Sequence, residues 1–240
     1  MKRLGIYVAA VLCITIIPAT TSKAAYSISD NCEHMSLTTP TGATSMTNTY
    51  GEVYNYDTSG KVVAKTTASG YVVNYTYDGA GNKAMELEYT YDGQLWGGTA
   101  YQYDALGRIS AEVAGSGEVL YTYTYSDNTV TKVNPGWSYD CYTYTYDKNG
   151  NLTEYKIGDS ETYTYTYDKA GNVTSINSTT PYGTWQKYEY TYDKNGNIAT
   201  ETQTSSYGIT NAYTYTNVYD AAGRLTTVDD GHGTIYQFTY

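Results

Sequence analysis

The chain has 240 residues, with 24 acidic and 14 basic side chains and a formal net charge of −10. This balance excludes a broad basic surface, so neither nucleic acid nor an anionic membrane surface is expected as a partner. The apolar content is unusual, because there are 33 tyrosines and a single phenylalanine. A buried tyrosine contributes a large ring but must place its hydroxyl with a partner, and repeats that pack only on their neighbours can accept this.

The N-terminus has the layout of a secretory signal peptide. Met1-Lys2-Arg3 is basic, residues 4–17 form an apolar run, and Pro18 and a polar stretch lead to Ala24. We expect cleavage after Ala24, which makes residues 1–24 a signal peptide and the mature protein secreted, extracellular or held at the cell surface. The run is short for a membrane span, so no stable span is expected after cleavage. An uncleaved weak anchor and a buried N-terminal element are the alternatives.

Cleavage would make the mature chain more acidic. Without Lys2, Arg3 and Lys23, 11 of the 14 basic residues remain against 24 acidic ones, a net charge of −13. Residues 25–49 are polar and rich in Ser and Thr, and are either a linker or a loosely ordered cap. The composition does not change from Tyr50 onward, so residues 50–240 are treated as one repeat domain.

A hairpin motif organises this domain. In residues 142–146 tyrosine alternates with threonine, which in an extended strand places three rings on one face. Asp147-Lys148-Asn149-Gly150 follows, with Asp at a turn position where it bonds its own backbone and Gly where a positive φ is easily adopted. The unit therefore predicts strand, tight turn and strand.

The motif Tyr-Asp-x-x-Gly recurs with a period near 21 residues, which is typical of a repeat architecture. Two decayed copies are expected at Tyr91-Asp92-Gly93 and Tyr125-Ser126-Asp127. Tyr240 lies 21 residues after the last motif tyrosine, where a further copy would begin. The predicted repeat-turn residues are Tyr56, Asp57, Gly60, Tyr77, Asp78, Gly81, Tyr103, Asp104, Gly107, Tyr146, Asp147, Gly150, Tyr167, Asp168, Gly171, Tyr192, Asp193, Gly196, Tyr219, Asp220 and Gly223.

The segments at residues 146–153 and 167–174 resemble the YD repeat of the RHS family, and the resemblance extends over roughly residues 50–240. It implies an all-β fold of tandem antiparallel hairpins in a long twisted sheet. In large family members the sheet forms a shell around a C-terminal toxin, teneurins use it in cell adhesion, and such repeats are associated with carbohydrate binding. With so few copies, we expect a partly curled, open piece of such a shell. Its unpaired edge would permit self-association.

The strand after each turn does not keep one phase. Leu152, Tyr155 and Ile157 do not alternate regularly, and a bulge beside Gly150 or Gly171 would explain the slip. Which face of the sheet is covered is left open at this point.

No catalytic constellation or metal site is predicted, and no cofactor. His34 and His232 are isolated from other ligands, and the Asp147 turn lacks the spacing and the distal Glu of a calcium loop. Cys32 and Cys141 remain after cleavage, and either pair in a disulfide, stay free or bridge two chains.

The function expected from these features is that of a non-enzymatic scaffold that binds a glycan or a cell-surface protein. Trp137 and Trp185 lie in return loops and are candidate ligand contacts, although packing on the sheet would also explain them. The alternative function is a fragment of a toxin-delivery shell without its self-cleavage segment and effector.

Overall fold

A computed structural model describes residues 42–208 and 210–240, together with two short strands before them. Every regular element in these residues is a β-strand. The described part contains no helix long and apolar enough to cross a membrane. The strands are β1 Cys13–Ile14, β2 Ile28–Ser29, β3 Ser45–Asn48, β4 Val53–Tyr56, β5 Val62–Thr66, β6 Val72–Tyr77, β7 Lys83–Tyr89, β8 Leu95–Tyr103, β9 Ile109–Ala114, β10 Val119–Ser126, β11 Thr129–Asn134, β12 Trp137–Tyr146, β13 Leu152–Ile157, β14 Glu161–Tyr167, β15 Val173–Thr179, β16 Trp185–Tyr192, β17 Ile198–Ser205, β18 Thr210–Thr214, β19 Thr216–Tyr219, β20 Leu225–Asp229 and β21 Thr234–Thr239.

Consecutive strands from β3 to β21 follow one another around a single antiparallel sheet, while β1 and β2 pair separately. Strands β18 and β19 are separated only by Tyr215, with β17 paired to the first and β20 to the second. The predicted all-β fold of tandem antiparallel hairpins is therefore confirmed.

The prediction of an open sheet is wrong. Strand β21 pairs with β3, with Phe238 opposite Met46 and Gln237 opposite Thr47, and this pairing closes the sheet. Both edges that an open piece would expose are thereby paired, so the described strands give no basis for the expected edge-to-edge self-association. The closing strand β3 lies within residues 25–49, the segment interpreted as a linker or cap.

The YD turns are built by one carboxylate and one glycine. In the turn at Asp168, Oδ1 accepts the backbone N–H groups of Ala170 at 2.8 Å and Asn172 at 2.9 Å. The Asn172 amide donates to Oδ2 at 2.9 Å, and this bond lowers the pKa of Asp168. Gly171 has a φ of 90°, and the glycines of all seven motif copies lie between 75° and 90°.

A β-bulge follows each of these turns. Tyr146 pairs with Leu152 but Thr145 pairs with Glu154, so Thr153 is the extra residue. The bulge accounts for the phase slip, although it lies beyond Gly150 and not beside it. The extra residues in the seven copies are Val63, Ala84, Ser110, Thr153, Thr174, Ala199 and Thr226.

The tyrosine face is the covered face of the sheet. In β14, Tyr163 and Tyr165 are buried whereas Thr164 and Thr166 are exposed. Tyrosine rings fill this inner face by stacking across strands, as Tyr155 does on Tyr163 with centroids 5.7 Å apart. The inner face holds two clusters of buried side chains, and Tyr215 packs against both.

Several copies are fastened to the one before them by the motif tyrosine. The Tyr167 hydroxyl donates to the Leu152 carbonyl at 2.7 Å, and Leu152 is the first strand residue after the preceding turn. Tyr240 makes the same bond to Leu225 at 2.6 Å, so it occupies the position of a motif tyrosine. The other bonds of this kind are Tyr77 to Val62, Tyr103 to Lys83, Tyr125 to Ile109 and Tyr192 to Val173.

The opposite end of the sheet uses the same turn with other capping residues. Asn48 Oδ1 accepts the N–H groups of Tyr50 and Glu52, both at 3.0 Å, and the threonine Thr90 caps the turn before Gln94. Tyr91-Asp92-Gly93 belongs to this second set of turns. Its interpretation as a decayed YD copy is therefore wrong, because Thr90 and not Asp92 holds the first turn position.

Candidate functional site

The two ends of the closed sheet carry different side chains. One end holds the YD turns, and the other holds the return turns that connect one hairpin to the next. All exposed tyrosine and tryptophan side chains of the described residues lie in the return turns or in the first strand residues after them. This aromatic rim consists of Tyr50, Tyr71, Tyr91, Trp96, Trp137, Tyr139, Tyr182, Trp185 and Tyr207.

Some rim residues contact one another edge to face. The rings of Tyr71 and Tyr91 lie 6.2 Å apart at 69°, and those of Trp137 and Tyr139 lie 5.5 Å apart at 87°. Tyr182, by contrast, is 94% exposed. These rings are in contact with water, and a bound partner would cover them. The rim is therefore the part of the surface best suited to binding.

A polar groove adjoins Trp185. Lys156, Thr162, Thr179 and Trp185 are in register across β13 to β16, so they share one face of the sheet. The groove has a volume of about 430 Å³ and is lined by the first three of these together with Asp159 and other return-loop residues. The Thr179 hydroxyl is therefore on the strand next to the exposed indole, while Asp159 lies two strands away in the turn between β13 and β14.

The position of Trp185 is fixed by the neighbouring return turn. The backbone N–H of Trp185 donates to Ser206 Oγ at 3.3 Å, and the backbone N–H of Ser206 donates to the Trp185 carbonyl at 3.0 Å. On the other side of the strand, Thr179 of β15 pairs with Trp185. The backbone that carries the indole is therefore hydrogen-bonded to a neighbour on each side.

A second groove, beside Trp96, is apolar. It has a volume of about 460 Å³, and Met85, Leu87 and Ala100 line it together with Gly98. A Cβ at Gly98 would come within 2.8 Å of the Leu87 side chain, so the glycine leaves room for this leucine. Trp96 thus borders an apolar groove, whereas Trp185 lies beside the polar one.

The structure places Trp137 and Trp185 as the first residues of β12 and β16, just after return turns. They are 59% and 40% exposed, and the two lie on strands that are not neighbours. The structure therefore does not bring them into one site. Sequence reasoning missed most of the rim, although the dipeptides Tyr50-Gly51, Tyr182-Gly183 and Tyr207-Gly208 were an available signal.

The other candidate residues are not assembled into a site. Cys141 forms no disulfide within the described residues, and Cys32 lies outside them, so their pairing stays a prediction. His34 also lies outside them, and His232 is an exposed residue in the turn before β21. In the described part, no group of three or more His, Cys, Asp or Glu residues is arranged to hold a metal ion.

The motif aspartates already have internal partners. Asp147 Oδ1 accepts the N–H groups of Asn149 and Asn151, and Oδ2 accepts the Asn151 amide at 2.9 Å. These bonds give the carboxylate a structural role in the turn.

These features define a class of protein: a repeat protein of β-hairpins with one face covered and an aromatic rim at one end. Comparison with known families identifies the repeat itself. The model described as RHS Repeat matches residues 56–86 and 146–184, less than a third of the chain. The chain therefore contains RHS repeats in these two regions, as the resemblance predicted. A search of curated proteins found no match.

Among solved structures, the chain is similar to TcdB2-TccC3-TEV (16% identity, TM-score 0.39) and to the Tc holotoxin pore of Photorhabdus luminescens (17% identity, TM-score 0.38). These matches cover 74% and 78% of this chain, but only 12% of either Tc chain. A porin-like protein from Bacteroides vulgatus is similar at 12% identity and a TM-score of 0.39, over 82% of this chain and 98% of the other.

Proposed function

We propose that this RHS-repeat chain is a secreted, non-enzymatic scaffold that binds carbohydrate at the aromatic rim. The observation that carries the proposal is the gathering of the exposed tyrosines and tryptophans at one end of the sheet. A random distribution of surface aromatics would also have placed some of them at the YD turns.

The groove beside Trp185 supports a sugar as the ligand. A pyranose ring has an apolar face that packs on an aromatic ring, and hydroxyl groups around its edge that need hydrogen-bond partners. The indole of Trp185 offers the first surface, and Thr162, Thr179 and Asp159 offer the second. Pockets of this size bind small ligands with a few placed polar groups.

Secretion rests on the signal-peptide layout of residues 1–24. A secreted scaffold with an aromatic rim would meet glycans or glycosylated proteins at a cell surface, which is why adhesion is the function that we favour. A cell-surface protein contacted without its sugars would use the same rim.

The second candidate is a fragment of a toxin-delivery shell, which the RHS repeats favour. The Tc chains to which it is similar are far longer than this chain. The pairing of β21 with β3 argues for the scaffold, because among the described strands it leaves no edge to which further repeats could add.

The test is a glycan array probed with the purified, signal-cleaved protein. We expect glycan binding to be lost in Trp185→Ala and retained in Trp96→Ala, because the Trp96 indole borders an apolar groove. Trp137→Ala tests the other predicted contact. Circular dichroism must show that all variants fold like the wild type.

Absence of binding by a folded wild type would reject the carbohydrate proposal. Equal losses in Trp185→Ala and Trp96→Ala would reject the groove beside Trp185 as the site. Binding retained in all three variants would reject the tryptophans as ligand contacts.

A further inference from the structure

Strand β18 is paired along one side only. Its residues Thr210–Thr214 pair with β17, and no other strand of the described residues pairs with them. After Tyr215 the chain continues as β19, which pairs with β20. The pairing of β21 with β3 closes both ends of the sheet, but within the sheet it leaves this free edge of β18. Its five residues correspond to one short strand and not to a hairpin repeat.

The hydrogen-bond ladder decides which backbone groups point to the free edge. The Tyr215 N–H donates to the Ala199 carbonyl at 2.8 Å, so the backbone of Tyr215 faces β17. Successive residues of a strand direct their N–H and C=O groups to alternate sides. Asn211 and Tyr213 therefore also face β17. The residues whose N–H and C=O groups point to the free side are Thr210, Ala212 and Thr214.

The neighbouring hairpin ends too early to cover this edge. Thr216 pairs with Asp229, so a longer β20 would place Gly231 opposite Thr214. Residues 230–233 form the turn between β20 and β21 instead, and the Asp230 N–H donates to the Gly233 carbonyl at 3.4 Å. Four of the five residues of β18 are exposed, so the edge is open to a partner.

An edge of this kind fits an extended polypeptide. Its outward N–H and C=O groups recur every second residue, which corresponds to about 7 Å along the strand. A second polypeptide in strand conformation carries complementary groups at the same spacing. It can therefore pair with all of them, and main-chain pairing of this type is a recurring mode of peptide recognition.

The charges around the free edge favour a cationic partner. From β17 onward the only Lys or Arg is Arg224, which lies in a YD turn at the opposite end of the sheet. Glu201 lies on the strand paired with β18, and Asp229 and Asp230 stand at the start of the turn beside the free edge. A second copy of this chain would bring the same negative charges to the edge, whereas lysine or arginine side chains would complement them.

We propose that the free edge of β18 binds an extended, cationic polypeptide segment, which adds to the sheet as a further strand. Its backbone pairs with Thr210, Ala212 and Thr214. A lysine or arginine opposite Tyr213 shares the face of this tyrosine, and the ring attracts the cation. The site is separate from the carbohydrate site at the rim and does not depend on that proposed function.

The experiment measures amide hydrogen exchange by NMR in the signal-cleaved protein, with and without a short blocked peptide in which lysine and valine alternate. In the free protein, the amides of Ala212 and Thr214 should exchange much faster than those of Asn211 and Tyr213, which bond to β17. The peptide should slow exchange at Ala212 and Thr214. The same peptide with alternate backbone nitrogens methylated is the matched control, and it should bind about tenfold or more weakly because it lacks the donors.

A variant tests the edge from the side of the protein. Ala212→Pro removes an N–H that the fold does not use, so it should fold like the wild type and bind the peptide about tenfold or more weakly. Ala212→Ser keeps the N–H and should bind like the wild type. Asn211→Pro removes a bond to β17 and should lower the thermal midpoint, which Ala212→Pro should not do.

Slow exchange of the Ala212 and Thr214 amides in the free protein would overturn the proposal, because the edge would already be covered. Equal binding of the plain and the methylated peptide would also overturn it, since charge alone would then explain the attraction. Equal binding of a glutamate–valine peptide would reject the cationic partner. Self-association of the wild type that Ala212→Pro abolishes would show that a second copy occupies the edge. If Ala212→Pro does not fold, the methylated peptide decides.

Discussion

A YD turn depends on one aspartate whose two carboxylate oxygens bond to different groups. Oδ1 caps the backbone of the turn, and Oδ2 holds the side chain four residues later, which is Asn172 in one copy and Arg108 in another. The copy at Asp193 differs, because its Oδ2 accepts the Tyr219 hydroxyl at 2.6 Å. Oδ2 of the motif aspartate thus bonds either to a side chain of its own turn or to the next repeat.

The glycine of the turn is tested by Gly171→Ala. Gly171 has a φ of 90° with nothing within 4 Å of an added Cβ, so the substitution changes backbone strain without a clash. We expect a loss of about 1–2 kcal/mol in the free energy of unfolding. Gly79→Ala is the control, since Gly79 also has open space but no positive φ. Equal stability of the two variants in urea unfolding would contradict the turn assignment.

The bond between repeats is tested by Tyr167→Phe, which removes the hydroxyl that donates to the Leu152 carbonyl. The expected loss is about 1 kcal/mol of unfolding free energy, because the acceptor is left in a partly buried position. Tyr182→Phe removes a hydroxyl at a position that is 94% exposed and should leave the stability unchanged. Similar midpoints of urea unfolding for both variants would count against the fastening of repeats by motif tyrosines.

At the scale of the strand, the bulge decides which side chains are covered. Without the extra residue, Tyr155 would move to the threonine face, since a shift of one residue exchanges the two faces. With it, Tyr144, Leu152 and Tyr155 lie together on the inner face, and the rings of Tyr144 and Tyr155 stack 4.9 Å apart. The bulge therefore makes a tyrosine core compatible with a five-residue turn.

This core predicts sensitivity to alkaline pH. Burial raises the pKa of Tyr155 to about 12, above the value near 10 of an exposed tyrosine. The folded state holds this proton more tightly, so the stabilisation is complete below pH 10 and is lost as the pH rises toward 12. We expect cooperative unfolding between about pH 10 and 12, with the inner tyrosines ionising as they are exposed. Absorbance of tyrosinate and circular dichroism should change together, and tyrosine ionisation in a chain that stays folded would contradict the buried core.

The hairpins and their turns were predictable from sequence because alternation and turn chemistry are local signals. The position of the bulge was less visible, since Thr153 has no special residue type and its role depends on the pairing of Tyr146 with Leu152. The return turns were missed as a set, because asparagine and threonine replace the aspartate there, as at Asn48 and Thr90.

At the scale of the molecule, closure of the sheet was not predicted. The strand that closes it, β3, carries no YD motif, and its partner β21 lies almost 190 residues away in the chain. Pairing between such distant segments has no local signature. In the structure, buried Met46 and Phe238 face each other across this seam, and the Thr49 N–H donates to the Ile235 carbonyl at 2.9 Å.

The covered inner face is a consequence of this closure, whereas the rim follows from the antiparallel order of consecutive strands. An open sheet would expose its tyrosine face to water, but its return turns would still lie along one edge. Trp137 and Trp185 were identified as loop residues from sequence. That the other rim aromatics lie at the same end of the sheet follows only from the arrangement of the whole sheet.

Closure is tested most directly by a disulfide across the seam. Thr47 and Gln237 are opposite each other on the outer face, at a spacing that antiparallel pairs and disulfides share. Thr47→Cys with Gln237→Cys, in a background that carries Cys32→Ser and Cys141→Ser, should oxidise to an intramolecular disulfide that raises the thermal midpoint. Thr47→Cys with Thr202→Cys is the unpaired control. A closed sheet predicts a cross-linked monomer by non-reducing electrophoresis and mass spectrometry for the first pair alone, and free thiols or cross-linked dimers in that pair would contradict it.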